Sequence, residues 1–561
     1  MKNTEYLKQS TQEVAVFVDG LKDNAKGNAG TFDSAAAADY MSEVTNRNTG
    51  ITVPEKLQLV LDECDEKQSP AIIKAILDGV SIYESQHGCE VPADLIETAF
   101  HVAYSTTDHA ARMYRGGRLS GAFDSANSSH HDQYSLQPNR AVLAILTMMG
   151  EAIPFAHYLP TDISSNEAIL AIMSHIAGST HGSYAENAIM DGASSGDAYI
   201  SSSRVNVSFP AGGTGNITGA LTRLQSDYQT CDPAAAQIKL LRGRTNVFVN
   251  GQFAAKENDT SGSGSSSVSG TIKIAGTTYA IGGTINTDTG VYALTSTPAL
   301  PTTVPVAVEG FIDYERAPEL TPSIITDVQT YRYYAAPWRV TTQQTIDSRT
   351  QMANELGLDS YSESVLAIQG QFANERHYNV LYKALRLAVN NQATFDFDWA
   401  ARYQQMNRAQ IWRDLFPIFG QVSQKMAVDT MDHGVSHMYT GRLGMSNFLG
   451  MPEDIFRPSG IRNRPGIFRV GRYMDAVDVY YTPKGITETS TSTQILCIGK
   501  ANNVAMNPFV LGDAEAPTVI PLGVNADLKQ GAGFYARNFT SVNKYAPASL
   551  SCALINVTDL Y

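Results

Sequence analysis

Residues 360–389 read SYSESVLAIQGQFANERHYNVLYKALRLAV. Ser360-Tyr361-Ser362-Glu363 is a capping box, in which the Ser360 hydroxyl and the Glu363 carboxylate each satisfy an otherwise orphaned backbone N–H. No proline interrupts the run to Val389, and Asn390-Asn391 ends it. The spacing predicts a helix of roughly 29 residues, about 43 Å long at 1.5 Å per residue. Val365, Ile368 and Phe372 lie on one face, and Leu381, Leu385 and Ala388 on another. A helix with apolar residues on several faces is covered on several sides and serves as the backbone of a domain.

The segments on either side have a different texture. Asn246–Val249, Thr271–Ile274, Thr277–Ile281 and Val291–Thr295 are short β-branched or aromatic runs. Asn250-Gly251, the tract SGSGSSS at 261–267 and Asp288-Thr289-Gly290 punctuate them as turns. Residues 245–312 thus read as a small all-β unit inserted in a longer domain. Downstream, 396–525 alternates short helices and strands. GFYARNFTSV and ASLSCALINV near the end are strand-like and flank a turn, Asn543-Lys544-Tyr545-Ala546-Pro547.

Residues 1–50 are polar and read as a loosely ordered extension with short helices at best. Helical periodicity begins after Pro54 with Leu57, Leu61 and Cys64, and continues with Ile73, Ile76, Leu77 and Val80. A third helix is expected from Pro92 to Tyr104. Residues 112–137 are Gly/Ser-rich without a period and read as a loop or arm. Residues 140–152 are apolar enough to be buried.

The 561 residues exceed what one core normally supports, so two or more sub-domains are expected. Only 17% are charged, which leaves the surface to Ser, Thr, Asn, Gln and Gly, or to burial against other subunits. A formal net charge of -14 argues against gripping nucleic acid through its phosphates. Cysteines at 64, 89, 231, 497 and 552 are widely spaced with no CxxC, which points to reduced thiols. The opening MKNTEYLKQSTQE lacks an apolar h-region, so no secretory signal is expected. No run of 18 apolar residues occurs, so no membrane span is expected either.

Several patterns could carry chemistry. Gly213-Thr214-Gly215-Asn216-Ile217-Thr218-Gly219 is GxGxxxG, one residue longer than a dinucleotide-binding turn. Asp232 stands at about the distance of a ribose ligand, but no second strand leads into it. Asp429, His433 and His437 would share one face of a helix as a metal corner, yet HExxH is absent and Gly434 interrupts the helix. His130-His131-Asp132 lies in the Ser/Asn/Gly-rich loop and reads as solvated. No GxSxG, P-loop or nucleophilic cysteine signature is present, so no catalytic residue, cofactor or metal is assigned.

Four segments, in order, resemble the major capsid proteins of tailed bacteriophages, and most closely the T-even and large myophage branch of the HK97-type fold. The first runs from VAVEGFIDYE at 306–315 into the long helix, with Ile324 to Arg349 resembling the strand pair that enters the family's spine helix. VSQKMAVDTMDHGVSHMYTGRLGMSNFL at 422–449 is similar to the axial-domain helix, turn (Thr430 to Gly434) and strand. GIFRVGRYMDAVDVYYTP at 466–483 resembles a strand–Gly–strand hairpin. The stretch 506–550 resembles the closing segment.

The resemblance implies an α+β fold of the HK97 type. It divides into an N-terminal arm (1–140), an extended loop with the start of the peripheral domain (141–244), a β-rich insertion domain (245–312), the peripheral domain with its spine helix (313–395), an axial domain (396–525) and the peripheral C-terminal strands (526–561). It further implies a subunit without catalysis, self-assembling as hexamers and pentamers into an icosahedral virion head around double-stranded DNA. Scaffold, portal, vertex or cement proteins are the implied partners, and assembly takes place in the host cytoplasm. A capsid vertex paralogue of the same fold is the alternative, and a metal-dependent enzyme using Asp429, His433 and His437 a remote one. Relatives are trimmed after a Glu two residues beyond Leu or Ile. Glu63 and Glu97 fit that pattern, as does Ile486-Thr487-Glu488 in the body. Deletion of 250–305 is expected to leave a folded subunit and a weakened shell.

Overall fold

The computed structural model describes residues 3–24, 36, 39–40, 53–62, 69–88, 90–93, 95–104, 145–146, 149–150, 152–159, 166–226, 228–258, 264–351, 354, 360–522 and 529–561. The loop 112–137, with His130 and His131, lies outside them, as do Glu63 and the side chains of the 360–363 capping box. Helices and strands are both abundant, and the chain forms two compact units. One comprises Met1–Ala171 and Thr330–Tyr561, and the other Ile172–Gln329.

The first unit is organised by a seven-stranded mixed sheet. Its order is Gln392–Asp396, Cys552–Thr558, Thr493–Ile498, His437–Thr440, Val477–Tyr481, Phe468–Tyr473 and Phe456–Pro458. Side chains alternate across a strand, and here both faces are covered. Leu496 and Ile498 enter one core, while Ile495 and Cys497 enter the other. That double burial is why these strands read as continuous apolar runs. The expected hairpin at 466–483 is present, with Met474 and Asp475 both at positive φ in its turn.

One face of the sheet packs on helices. They include Glu55–Asp62, Ser69–His87, the helical segment 95–104 and the second half of the long helix Ser360–Leu387, through Val380, Leu381 and Ala384. Ile145, Met149 and Ala152 are buried in the same core, as the apolar 140–152 segment requires.

Three expectations are corrected. Residues 1–50 contain a 22-residue helix, Asn3–Asn24, whose Val14, Phe17, Val18 and Leu21 are buried in this core. The i, i+3, i+4, i+7 stripe is a complete amphipathic signal that the polar surroundings obscured. Ile324–Tyr334 and Ala336–Thr345 are both strands, but they do not pair with each other. The former pairs with Glu167–Ala177 and the latter with Lys529–Val542. Finally, the boundary expected at 525 falls between antiparallel partners, Phe509–Leu522 and Lys529–Val542, while Cys552–Thr558 belongs to the seven-stranded sheet.

The second unit holds an eight-stranded antiparallel sheet. Its order is Ser203–Ser208, Val306–Phe311, Asn246–Val249, Gln252–Glu257, Ser265–Ile274, Thr277–Asn286, Val291–Thr297 and Asn216–Ala220. The all-β reading of 245–312 therefore describes the middle of a larger sheet that also takes in strands upstream of 245. Tyr292 accepts a hydrogen bond from Asn206 Nδ2 at 2.9 Å and donates to Ser208 Oγ at 3.2 Å, which links Val291–Thr297 to the first strand of the order, Ser203–Ser208. Asp288-Thr289-Gly290 is a turn, as expected. Gly290 has φ +74 there, and a Cβ would lie 2.3 Å from the Leu221 carbonyl oxygen.

Candidate assembly surface

A four-stranded sheet in the first unit is built differently from the covered one. Its order is His157–Tyr158, Phe509–Leu522, Lys529–Val542, Ala336–Thr345. The two central strands are 14 residues each, roughly 46 Å at 3.3 Å per residue. Register shifts near Asp513 and Glu515 mark bulges that bend the first of them.

Ala336–Thr345 is an outermost strand of this sheet among the described residues. It pairs with Lys529–Val542 from Ala336↔Asn538 to Thr345↔Lys529, and no strand among the described residues pairs with its other side. Most of its residues are exposed. Tyr334, Val340 and Ile346, in and beside it, are 64%, 44% and 45% exposed. Such an edge presents open N–H and C=O groups, and folded chains normally blunt it with charged side chains, proline, a short strand or a cover. This edge is ten residues long and has no lysine, and its only blunting residues are Pro337 and Arg339 near one end.

The long helix holds the edge in place. Phe372 packs edge-on against Trp338 at 5.0 Å and tilts against Phe534 at 5.3 Å. One turn on, Arg376 meets Asp513 at 3.1 Å and lies over the Tyr158 ring. Both ends of this ion pair are buried. Burial pushes the Asp513 carboxyl up, and the Arg376 guanidinium pulls against that shift. A groove of about 330 Å³ runs between helix and edge, lined by Trp338, Val340, Ile368, Phe372, Glu375 and Phe534.

The sequence-derived metal corner is not assembled. The helix Leu415–Thr430 carries Asp429, but it ends at Met431 with φ 56. His433 follows in the loop, bonded to Asp432 at 3.2 Å, and His437 begins a buried strand with Nδ1 2.8 Å from Ser436 Oγ. The left-handed residue and Gly434 break the helical spacing on which the corner depended. No cluster of three metal-ligating side chains occurs among the described residues. The Gly213–Gly219 stretch leads into an edge strand of the β unit, and Asp232 caps a local turn by accepting from the Ala234 N–H at 2.9 Å. Glu97 sits on the helical segment 95–104, buried and ion-paired with Lys56 at 2.9 Å.

Sequence reasoning missed a buried histidine–tyrosine cluster. His377 Nε2 lies 3.3 Å from the Tyr439 hydroxyl, His437 stacks on Tyr480, and the Tyr480 hydroxyl reaches His87 Nδ1 at 3.4 Å. Burial lowers the pKa of His87 to about 4 and of His377 and His437 to about 3. Residues 87, 377 and 437 share no local motif, so only the fold brings them together. Among the described residues no helix is long and apolar enough to cross a membrane.

No protein-family model matches the chain, and no curated protein matches it. Several solved structures are similar to it at low identity. The icosahedrally averaged capsid of jumbo bacteriophage PhiKZ is 9% identical, over 72% of this chain and 91% of that one, with a TM-score of 0.33. The mature capsid of bacteriophage PhiM1 is 10% identical over 42% of this chain and 76% of that one, with a TM-score of 0.29. An encapsulin complex from Synechococcus elongatus is 9% identical over 42% and 79%, with a TM-score of 0.27.

Proposed function

We propose that this chain is the major capsid protein of a tailed phage, a shell-forming subunit of the HK97 type. The edge strand Ala336–Thr345 carries the reading. It is long, nearly flush with solvent, flanked by exposed apolar side chains and anchored from behind by a buried ion pair. A rigidly held open edge is a template for another strand, and an identical chain always supplies one.

The four sequence segments that resemble the capsid family support the more specific form. In that form the chain assembles as hexamers and pentamers into an icosahedral head that encloses double-stranded DNA, with scaffold, portal and cement proteins as partners. The acidic balance suits a wall that must not bind its contents. No catalytic step is part of the proposal. Maturation by cleavage after Glu97 would require the 95–104 helix to open first, because its carboxylate is buried on Lys56.

Electron microscopy and sedimentation velocity of the purified chain, alone and with a co-expressed scaffold, test the proposal. Closed shells or discrete rings are the expected result. A chain that stays monomeric at high concentration in both preparations overturns it.

A further inference from the structure

Three imidazoles of the first unit converge on the seam between its helices and its seven-stranded sheet. His87 ends the helix Ser69–His87, His377 lies on the long helix, and His437 begins a central strand of the sheet. They share the aromatic rings between them. The His87 ring centre lies 4.4 Å from that of Tyr83 and 5.9 Å from that of Tyr480, and His437 stacks at 6.0 Å on the same Tyr480. Phe155 lies 6.2 Å from His377 and 6.1 Å from His437. The end of the helix is tied to the sheet at this point. The Tyr480 hydroxyl meets His87 Nδ1 at 3.4 Å, and Arg469 Nη1 donates to the Gly88 carbonyl at 2.9 Å.

The charged groups around the stack do not welcome a further cation. Arg469 faces His87 and His437 from the strand Phe468–Tyr473, and Lys500 faces His437. Asp478, on the strand of Tyr480, is already held by Arg469 at 2.6 Å and by Arg472 at 3.3 Å. Glu84, on the helix of His87, is paired with Lys22. On the long helix Arg376 is paired with Asp513, and His157, near Phe155, is bonded to the Ala501 carbonyl at 2.8 Å. Tyr83, Tyr439 and Tyr480 complete the titratable groups named here, and burial keeps the Tyr439 phenol neutral. A proton on His87 therefore sets its charge beside Arg469, the residue that holds the end of its own helix.

We propose that this seam is an acid-sensitive latch. Protonation of His87 and His437 parts the end of the helix Ser69–His87 from the strands Phe468–Tyr473 and Val477–Tyr481, while the opposite face of the sheet stays packed. The sign follows from burial. Desolvation holds His87 at about 4 and His437 at about 3, below the ordinary 6.5, so the parted form, whose rings reach water, binds protons more readily. The latch is closed above about pH 6.5. Below that, each released imidazole favours the parted form about tenfold per pH unit until its folded value is reached. The latch lies within one subunit and does not depend on self-assembly.

Val80 is buried two turns before His87 and shares its core with Tyr83, whereas Cys497 is buried in the core on the other side of the sheet. Val80→Cys therefore reports on the seam, and Cys497 is the internal control. The dilute full chain is labelled with 2,2′-dithiodipyridine, which reacts with thiols in acid as well as at neutral pH, and both sites are read by mass spectrometry. From about pH 6.5 to about pH 4.5 the ratio of labelling at Val80→Cys to that at Cys497 should rise at least about tenfold. Adding His87→Phe, which keeps a ring between Tyr83 and Tyr480 but cannot gain a proton, should cut that rise at least about threefold. If His87→Phe does not fold, His437→Phe takes its place. If Val80→Cys does not fold, hydrogen exchange of the wild-type chain, compared between 76–87 and 493–498 after correction for intrinsic rates, gives the same ratio. A constant ratio, with both sites protected or both opening together, overturns the proposal. So does a rise that the histidine variant leaves undiminished.

Discussion

Arg376 on the long helix and Asp513 on the bent central strand meet at 3.1 Å, with side chains 3% and 1% exposed. Two charges removed from water hold each other only while both are present. The contact therefore acts as a lock between helix and sheet rather than as an additive attraction.

Replacing Arg376 with Ala leaves the Asp513 carboxyl buried without its cation. The variant is expected to lose about 3–5 kcal/mol of unfolding free energy, measured by urea denaturation. A joint Arg376→Met and Asp513→Leu change should recover most of that loss. If the single variant is as stable as wild type, the pair does not form in solution.

Acid stability should follow the three histidines of the histidine–tyrosine cluster, His87 and His437 buried and His377 half-buried. Their folded pKa values lie below the ordinary histidine value, so the unfolded chain binds more protons between roughly pH 6.5 and the folded values near 4 and 3. Stability is then full above about pH 6.5 and falls as pH drops. The charged neighbours Arg469 and Lys500 reinforce the shift, and a backbone hydrogen bond between His87 and Ala152 opposes part of it. Arg469 and Tyr480 face His87, Lys500 and Ser436 face His437, and Tyr439 faces His377. The urea midpoint measured from pH 7 to pH 4 should decline, and His437→Phe should make the decline shallower. A flat profile over that range would show that these rings are not buried neutral.

Val340→Lys places an ammonium on the open edge without touching the core. The subunit should unfold at the wild-type midpoint within about 0.5 kcal/mol, as surface changes usually do. It should also resist association by sedimentation velocity, because an edge lysine blocks strand addition. Unaltered assembly would place the contact elsewhere.

In the β unit, Tyr292→Phe removes the hydroxyl that joins Asn206 and Ser208. It should cost about 0.5–1.5 kcal/mol, since two half-buried polar partners lose their bonds, read as an earlier thermal transition of an isolated 172–329 fragment. If that fragment does not fold, proteolysis of the intact chain should reveal faster cleavage within 203–311. Deletion of 250–305 no longer stands as a neutral excision. It would remove Gln252–Glu257, Ser265–Ile274, Thr277–Asn286 and Val291–Thr297 from the middle of one sheet and leave its flanks without neighbours.

What the sequence disclosed and what it hid divide along physical lines. The long helix, the 466–483 hairpin and the turn at 288–290 depend on local periodicity and turn chemistry, and all were legible. Strand partners depend on contacts between distant residues, which is why Ile324–Tyr334 and Ala336–Thr345 were paired with each other when each has another partner. The metal corner failed at a single left-handed residue, Met431, which no helix template anticipates. The histidine seam was invisible for a different reason. A lone histidine at the end of a helix gives no sign of which strand its ring will meet.

The position of Cys552–Thr558 bears on how the first unit comes to exist. This strand lies between Gln392–Asp396 and Thr493–Ile498, so two stretches distant in the chain meet only through a third that follows both. Neither neighbour can complete its hydrogen bonding early. Until residue 558 has left the ribosome, the backbone edges of both that face this strand stay unpaired. Closure should then come late and all at once.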